Sequence, residues 1–347
     1  MNDIEQSPDS DLHSSVLIDT DAYAKALRER SIKGNDTFLI TNFRGSIQEG
    51  DISEGYNCEG FGRVHHFRDH KSVNWVTNPL PHQVAAWKLG LSVNAMERAQ
   101  VFQNASCNWR CWYCFVDFSL LSASTKHSEF KTSDELLELF LKEANRPKLI
   151  DLSGGQPDII PEWPVRMMEA MKRRSLEGEY FLWMDDNLSV YYPWEFLNDT
   201  ELDLMKNYRN FGRVGCFKGF SGDSFRENTR ARPEMLSRQV DIMSRWVKLG
   251  VDTYGYITLT TSSLNGMRSS LREFMDSIQD KVCPSFLLRT IPLEIFRFSP
   301  TIGRMGTVQE RAFENQYAVL AAWVDELDDR FSRKERSTPI YEVPLTS

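Results

Sequence analysis

From about residue 98 onward, short apolar runs alternate with longer segments whose apolar residues recur at helical spacing. The runs predict strands near 98–105 (RAQVFQNA), 148–153, 179–185, 212–220, 252–260 and 286–296. Between them the periodicity predicts helices near 132–145, 162–175, 194–208, 233–249 and 266–280. The first of these sets Leu136, Leu137, Phe140 and Leu141 on one face, behind a capping-box-like cluster of Ser133, Asp134 and Glu135. A last helix over about 308–330 carries Phe313, Tyr317, Leu320, Ala321 and Trp323. Six strand–helix alternations predict an α/β fold of parallel strands joined by right-handed crossovers. An open doubly wound sheet and a full or partial (β/α) barrel both satisfy this pattern, and both place chemistry at the C-terminal strand ends.

Upstream the texture differs. Residues 1–20 read as a disordered acidic lead, and 21–32 (DAYAKALRERSI) as a helix. From Thr37 to about Asn78 the chain is irregular and β-like, and 78–90 (NPLPHQVAAWKLG) reads as a turn and a short helix whose start is marked by Pro. The 347 residues show no internal repeat and no low-complexity linker. They divide into an N-terminal extension (1–90), a central domain (91–306) and a C-terminal helix and tail (307–347).

Composition narrows the function classes. Hydrophobic residues make up 41% and charged residues 26%, as in a soluble globular protein. A net charge of −8 gives no strong nucleic-acid signal, because phosphate neutralisation asks for a basic surface. No apolar run approaches the roughly 18–20 residues of a membrane span. The polar N-terminus lacks the regions of a signal peptide, so a cytoplasmic location and no membrane partner are expected. Of six cysteines, Cys107, Cys111 and Cys114 crowd into eight residues, whereas Cys58, Cys216 and Cys283 are scattered. In a reducing compartment a tight cluster points to metal rather than to disulfides.

The cluster lies in Asn104-Ala-Ser-Cys107-Asn-Trp-Arg-Cys111-Trp-Tyr-Cys114-Phe-Val-Asp117, a C-x3-C-x2-C spacing just after the first predicted strand. Three thiolates on one loop can hold three irons of a cubane, where four-cysteine ligation is usual. With no fourth Cys nearby, one iron stays open to a ligand. Structural zinc normally wants four closed ligands, and the nearest downstream histidine is His127. A three-cysteine zinc or redox site, or plain buried thiols, are the alternatives.

With Tyr113 just before the third cysteine, this segment resembles the radical S-adenosylmethionine (SAM) superfamily. The resemblance covers about residues 98–305 and implies a partial (β/α)6 TIM-like barrel with an N-terminal extension. It implies a [4Fe–4S] cluster on Cys107, Cys111 and Cys114, whose open iron chelates SAM. Reductive cleavage then gives methionine and a 5′-deoxyadenosyl radical that abstracts hydrogen from a substrate. An external electron donor such as a flavodoxin or ferredoxin is implied as well.

Further segments carry the same resemblance. Asp151-Leu-Ser-Gly-Gly-Gln-Pro157 matches the family's glycine-rich turn, where Gly154 and Gly155 allow close backbone approach to SAM and Gln156 replaces the commoner Glu. Gly215 to Thr229 resembles a segment of the glycyl-radical-enzyme activase branch. Lys218 matches the lysine that contacts the SAM carboxylate there, and Cys216 stands where that branch often has Asp. Ile291 to Pro300 resembles the branch's final strand, with Glu294 in place of His. The resemblance thus places Tyr113, Gly154, Gly155, Gln156 and Lys218 at the SAM site.

Asp185 and Asp186 end the third strand and suit a ribose, a cation, a substrate or a local cap; Asp185 is counted with the cofactor-binding residues. Arg289, Arg297 and Arg304 suit either an anionic substrate group or structural ion pairs. Trp109 and Trp112 are placed to shield a cluster from water. His65, His66 and His70 read as a surface or substrate-facing loop rather than a metal site, and Cys58 and Cys283 as buried thiols, which leaves no auxiliary cluster. The expected substrate is a small molecule or nucleotide. The alternatives are an activase acting on a protein partner and a non-catalytic iron–sulfur carrier or sensor.

Overall fold

The computed structural model describes residues 17–52, 54–67 and 75–345. Most of the expected acidic lead, and His70, lie outside the described residues.

The chain opens with α1 (Thr20–Ser31), capped by Asp19, whose carboxylate accepts from the Ala22 N–H at 3.1 Å. It continues through β1 (Ile32–Lys33), β2 (Thr37–Thr41), β3 (Tyr56–Asn57), β4 (Gly62–His66) and α2 (His82–Leu89). Gly90, at φ +66°, ends α2 in the left-handed region that glycine adopts freely. Then follow β5 (Arg98–Gln103), β6 (Ser128–Thr132), α3 (Ser133–Lys142), β7 (Leu149–Ser153), α4 (Glu162–Arg173) and β8 (Phe181–Asp186). Next come α5 (Tyr192–Phe196), α6 (Asp199–Asn207), β9 (Phe211–Phe217), α7 (Gly222–Thr229), α8 (Met235–Leu249), β10 (Thr253–Thr258) and α9 (Met267–Lys281). The chain closes with β11 (Thr290–Leu293), α10 (Ser299–Ile302), α11 (Thr307–Arg330) and α12 (Arg333–Arg336).

The main sheet has the order β11-β10-β9-β8-β7-β5-β4-β3. From β5 to β11 every neighbouring pair is parallel. These neighbours follow chain order without reversal. A doubly wound sheet reverses at a switch point, so that alternative is excluded. The N-terminal region is built into the same structure: β4 pairs antiparallel with β5, and β2 with β6. Leu27, Phe38, Ile40, Cys58 and Phe61 join the principal core.

Both faces of the parallel strands are covered, as such sheets require. One face packs Ile150, Leu182, Met184, Phe217 and Ile257 against the crossover helices. On the other, Ala99, Leu149, Phe181, Trp183, Val214 and Tyr254 form an apolar floor with Val84, Ala85 and Ala86 of α2. That floor covers the N-terminal halves of the strands. Toward their C-terminal ends the same face turns polar, with Asp151, Ser153, Asp185 and Lys218.

Several boundaries differ from the sequence reading. The cap of α3 is Thr132, not Ser133: its hydroxyl accepts from the Glu135 N–H at 3.2 Å while the Glu135 carboxylate accepts from the Thr132 N–H at 2.7 Å. The helix expected over 194–208 is two helices, because Leu197 is extended and Asn198 caps α6 afresh. Residues 286–289 form a 3-10 turn before β11. The short elements β6 and α7 carry too little periodicity to show in the sequence. No helix among the described residues is long and apolar enough to cross a membrane.

One fully buried ion group ties the helical layer to the strand tips. Arg213 contacts Asp158 at 3.0 Å and Asp186 at 3.3 Å, and stacks 3.8 Å from the Trp246 ring centroid. Burial, with the Asp158 charge alongside, pushes Asp186 well above the usual carboxylate range. Breaking a buried pair leaves an uncompensated charge, so Asp158→Ala is expected to cost about 3–5 kcal/mol of stability. Thr132→Ala, which removes only a cap, is expected to cost about 1 kcal/mol. Equilibrium urea unfolding of the two variants measures both.

Candidate functional site

The three clustered cysteines sit on the loop that leaves β5. Cys107 and Cys111 are buried and Cys114 is half-buried. The loop is neither helix nor strand, so its backbone groups need partners elsewhere. Cys107 N–H donates to the Leu121 carbonyl at 3.0 Å, Arg110 N–H to Thr229 at 3.3 Å and Trp112 N–H to Asn228 at 3.2 Å. Two buried guanidinium groups take the outward carbonyls. Arg110 donates to Cys107 O at 2.9 Å and Trp109 O at 3.1 Å. Arg304 donates to Cys114 O at 2.6 Å and Val116 O at 3.0 Å while lying 3.7 Å from the Phe118 ring centroid. Arg304 is therefore a clamp on the loop. Arg289 likewise pairs with Asp252 under Tyr254, and Arg297 with Glu310 at 2.5 Å.

The turn after β7 packs directly against this loop. A Cβ on Gly155 would meet the backbone carbonyls of Asn104 at 2.4 Å and Ser106 at 2.6 Å. Gly154, at φ +86°, holds the left-handed conformation that the turn needs. Gln156 is fully buried and its amide is spent inside the wall: it donates to Asp186 at 2.8 Å and accepts from the Asn187 N–H at 2.7 Å. It positions the turn rather than facing an open site.

Sequence reasoning missed three more amides of this kind. Asn104 donates to Gln156 O at 2.8 Å. Asn228, at the end of α7, donates to Lys218 O at 2.8 Å and accepts from Trp112 Nε1 at 3.0 Å and Thr260 Oγ1 at 2.8 Å. Gln239 donates to the carbonyls of Asn187 at 2.8 Å and Cys216 at 2.7 Å and accepts from the Lys218 N–H at 3.1 Å. The signal available for Gln239 was its place on the apolar stripe of α8, with Ile242, Met243 and Trp246.

The titratable groups divide by side of the sheet. Burial pushes the Cys107 thiol up to about 11 and the Cys111 thiol up to about 12, and Lys218 opposes both shifts. Lys218 is half-buried and forms no ion pair among the described residues. Burial lowers its pKa, but Cys216 and the three loop thiols more than reverse that, and the net shift is upward. Asn187 Nδ2 donates to Cys107 Sγ at 3.4 Å, and Thr258 Oγ1 to the Tyr113 hydroxyl at 3.0 Å. Asp185 points inward and Asp186 outward to Arg213, as strand alternation requires. Among the described residues no three His, Cys, Asp or Glu side chains converge to hold a single metal ion. His66 pairs with Glu54, and His65 faces the interior cavity beside Phe67. Lys218 is thus gathered with the three cysteines, and Gly154 and Gly155 back their loop.

No protein-family model matches the chain, and no curated protein matches it. Solved structures are similar to it in part. SuiB of Streptococcus suis bound to S-adenosylmethionine aligns at 13% identity and TM-score 0.46, over 67% of this chain and 48% of that one. The structure of anSMEcpe with bound AdoMet aligns at 13% identity and TM-score 0.40, over 65% of this chain and 57% of that one. TYW1 with a lysine–pyruvate adduct aligns at 13% identity and TM-score 0.38, over 63% and 72%. The aligned part spans about half the length of SuiB. At these values the likeness assigns no residue a role.

Because a Cβ at Gly155 meets backbone rather than a yielding side chain, Gly155→Ala is expected to cost about 1–3 kcal/mol. Gly178→Ala, with nothing within 4 Å, is expected to be near neutral in the same thermal melts. A second expectation concerns Asp185, which burial raises to about 6. An unfolded Asp titrates near 3.9, so between about pH 4 and 6 the folded state holds more protons and stability falls as pH rises. Asp185→Asn removes that loss. Its stability relative to wild type should therefore rise on going from pH 4 to pH 7.5, by on the order of 1–3 kcal/mol. A flat difference across that range would contradict the assignment.

Proposed function

We propose that the protein is a radical SAM enzyme whose central region, residues 91–306, is a partial (β/α)6 barrel flanked by the N-terminal extension and the C-terminal helix and tail. The observation that carries this reading is the juxtaposition of three cysteines in C-x3-C-x2-C spacing with a glycine turn behind their loop and an unpaired lysine ammonium facing them. The donor set suits a [4Fe–4S] cluster. Buried thiols reluctant to ionise become good ligands once a cationic cluster supplies the compensating charge. A cubane takes its thiolates at separate corners, so it does not require them to converge on one point.

Cys107, Cys111 and Cys114 hold the cluster and leave one iron for SAM. When bound, the cluster and SAM would supply the chemistry, the reductive cleavage of SAM by one electron from an external donor into methionine and a 5′-deoxyadenosyl radical. The chain's own contribution is placement and exclusion of water. Lys218 offers its ammonium to the SAM carboxylate. Gly154 and Gly155 offer backbone at close range. Tyr113, fixed by Thr258, closes one side of the SAM site. Buried Trp109 and Trp112 keep water from the sulfurs. Asp185 lies one step further in, on the substrate side. A small-molecule substrate and an external one-electron donor such as a flavodoxin or ferredoxin complete the reading.

The test is anaerobic reconstitution, iron and sulfide analysis, and chromatography of 5′-deoxyadenosine after addition of SAM and dithionite. About four irons per chain are expected, with 5′-deoxyadenosine formed by wild type and abolished by alanine at any of the three cysteines. Lys218→Ala should keep the iron and weaken SAM binding by roughly ten- to hundred-fold, the worth of one charge-assisted contact. Iron without SAM binding or cleavage would instead identify an electron carrier, and tightly held zinc a structural site.

A further inference from the structure

A cavity of about 530 Å³ opens on the polar half of the inner sheet face. Its wall includes Phe115, the residue after Cys114, and Ser153, the residue before Gly154. A ligand in it therefore lies against the loop and turn of the site already described. The volume is in the range of small-molecule pockets.

Three charged groups line it without neutralising one another. Arg63 pairs with Val101 across β4 and β5, and Val101 with Asp151 across β5 and β7. Arg63 and Asp151 thus stand on one rung of the sheet, two strand spacings or roughly 10 Å apart at the backbone, with only the small Val101 between. Asp185 stands one inward position beyond Trp183, the next residue along that rung. No ion pair joins Arg63 to either carboxylate among the described residues. Asp151 is 7% exposed and its Oδ1 has no hydrogen-bond partner; Arg63 Nε has none either. Burial raises Asp151 well above the carboxylate range, with the Asp185 charge adding to it, and burial lowers Arg63. The other cationic wall is already satisfied: Arg297 pairs with Glu310.

Charges of both signs that face one space with no ion pair between them call for a ligand that carries both signs. Five aromatic rings, Phe67, Phe115, Trp183, Tyr256 and Phe298, supply most of the apolar lining, beside the smaller Ile52, Val64, Leu80 and Pro81. We propose that this cavity binds a free aromatic amino acid, its ammonium set against Asp151 and Asp185, its carboxylate against Arg63 and its ring among the aromatic walls. That this ligand is the substrate rests on the radical SAM reading; that it binds does not.

The test is anaerobic isothermal titration of the reconstituted full-length chain with L-tryptophan, L-tyrosine and L-phenylalanine. At least one should bind. Removing either charge from the ligand that binds should weaken it by roughly ten- to hundred-fold; for tryptophan the probes are tryptamine and indole-3-propionate. Arg63→Gln should weaken the amino acid by a similar factor yet leave the decarboxylated amine unaffected, and Arg63→Lys should restore part of the loss. Asp151→Asn should weaken the amino acid and spare the acid probe. These ligand-side comparisons on wild type hold even where a variant folds poorly, and iron analysis of each sample separates a lost pocket from a lost cluster. Failure of all three amino acids to bind to a chain that cleaves SAM would overturn the proposal and leave the enzyme assignment standing. Equal or tighter binding of the corresponding N-acetyl amino acid amide would also overturn it, and would point to a peptide.

Discussion

Irregular backbone buried at the tips of parallel strands has to find hydrogen bonds, and four buried amide side chains supply them here. Asn104, Gln156, Asn228 and Gln239 each bridge two or more segments that share no secondary structure. An amide carries both donors and an acceptor and no charge, so it can satisfy a carbonyl and an N–H together without desolvating an ion. Asn228 alone joins the cysteine loop, the end of β9 and the end of β10. The positions of the cysteines, the glycine turn and Lys218 all depend on this network. Truncating one amide would leave buried backbone groups unsatisfied in several loops together.

Charge is arranged around that frame with the same economy. On the helical side of the sheet Arg213 pairs with both Asp158 and Asp186. On the inner side Arg63, Asp151 and Asp185 line the cavity with no ion pair between them. The difference is one residue of strand alternation: Asp185 and Asp186 are chain neighbours on opposite faces, and so one serves the wall and the other the cavity. The apolar floor under α2 keeps water from the lower half of that face and confines the polar groups to the end where the cysteine loop lies.

Much of this was legible in order along the chain. Six strands and five crossover helices follow the two periodicities closely, because parallel strands buried on both faces and amphipathic helices must carry them. The misreadings fall where local pattern is weak. The break at Leu197 needs only one extended residue and a new cap, and α7 is too short and polar to show a stripe. The strands of the N-terminal extension are too brief to show a pattern, and they find their partners on β5 and β6.

The sequence by itself determined the chemistry available: three cysteines at a spacing that leaves a fourth position open, a glycine pair one strand later and a lysine at a strand tip. It also determined the α/β alternation, because burial fixes period. Only the tertiary structure decided that the sheet runs in chain order without reversal. It alone tied the Gln156 side chain to Asp186 and Asn187 and Arg304 to the cysteine loop, and brought Arg63, from a strand before the first crossover, onto the face that carries Asp151 and Asp185. The last outcome turns on which strands pair and in which register, and a one-residue slip of a strand would send its Arg63, Asp151 or Asp185 side chain to the other face.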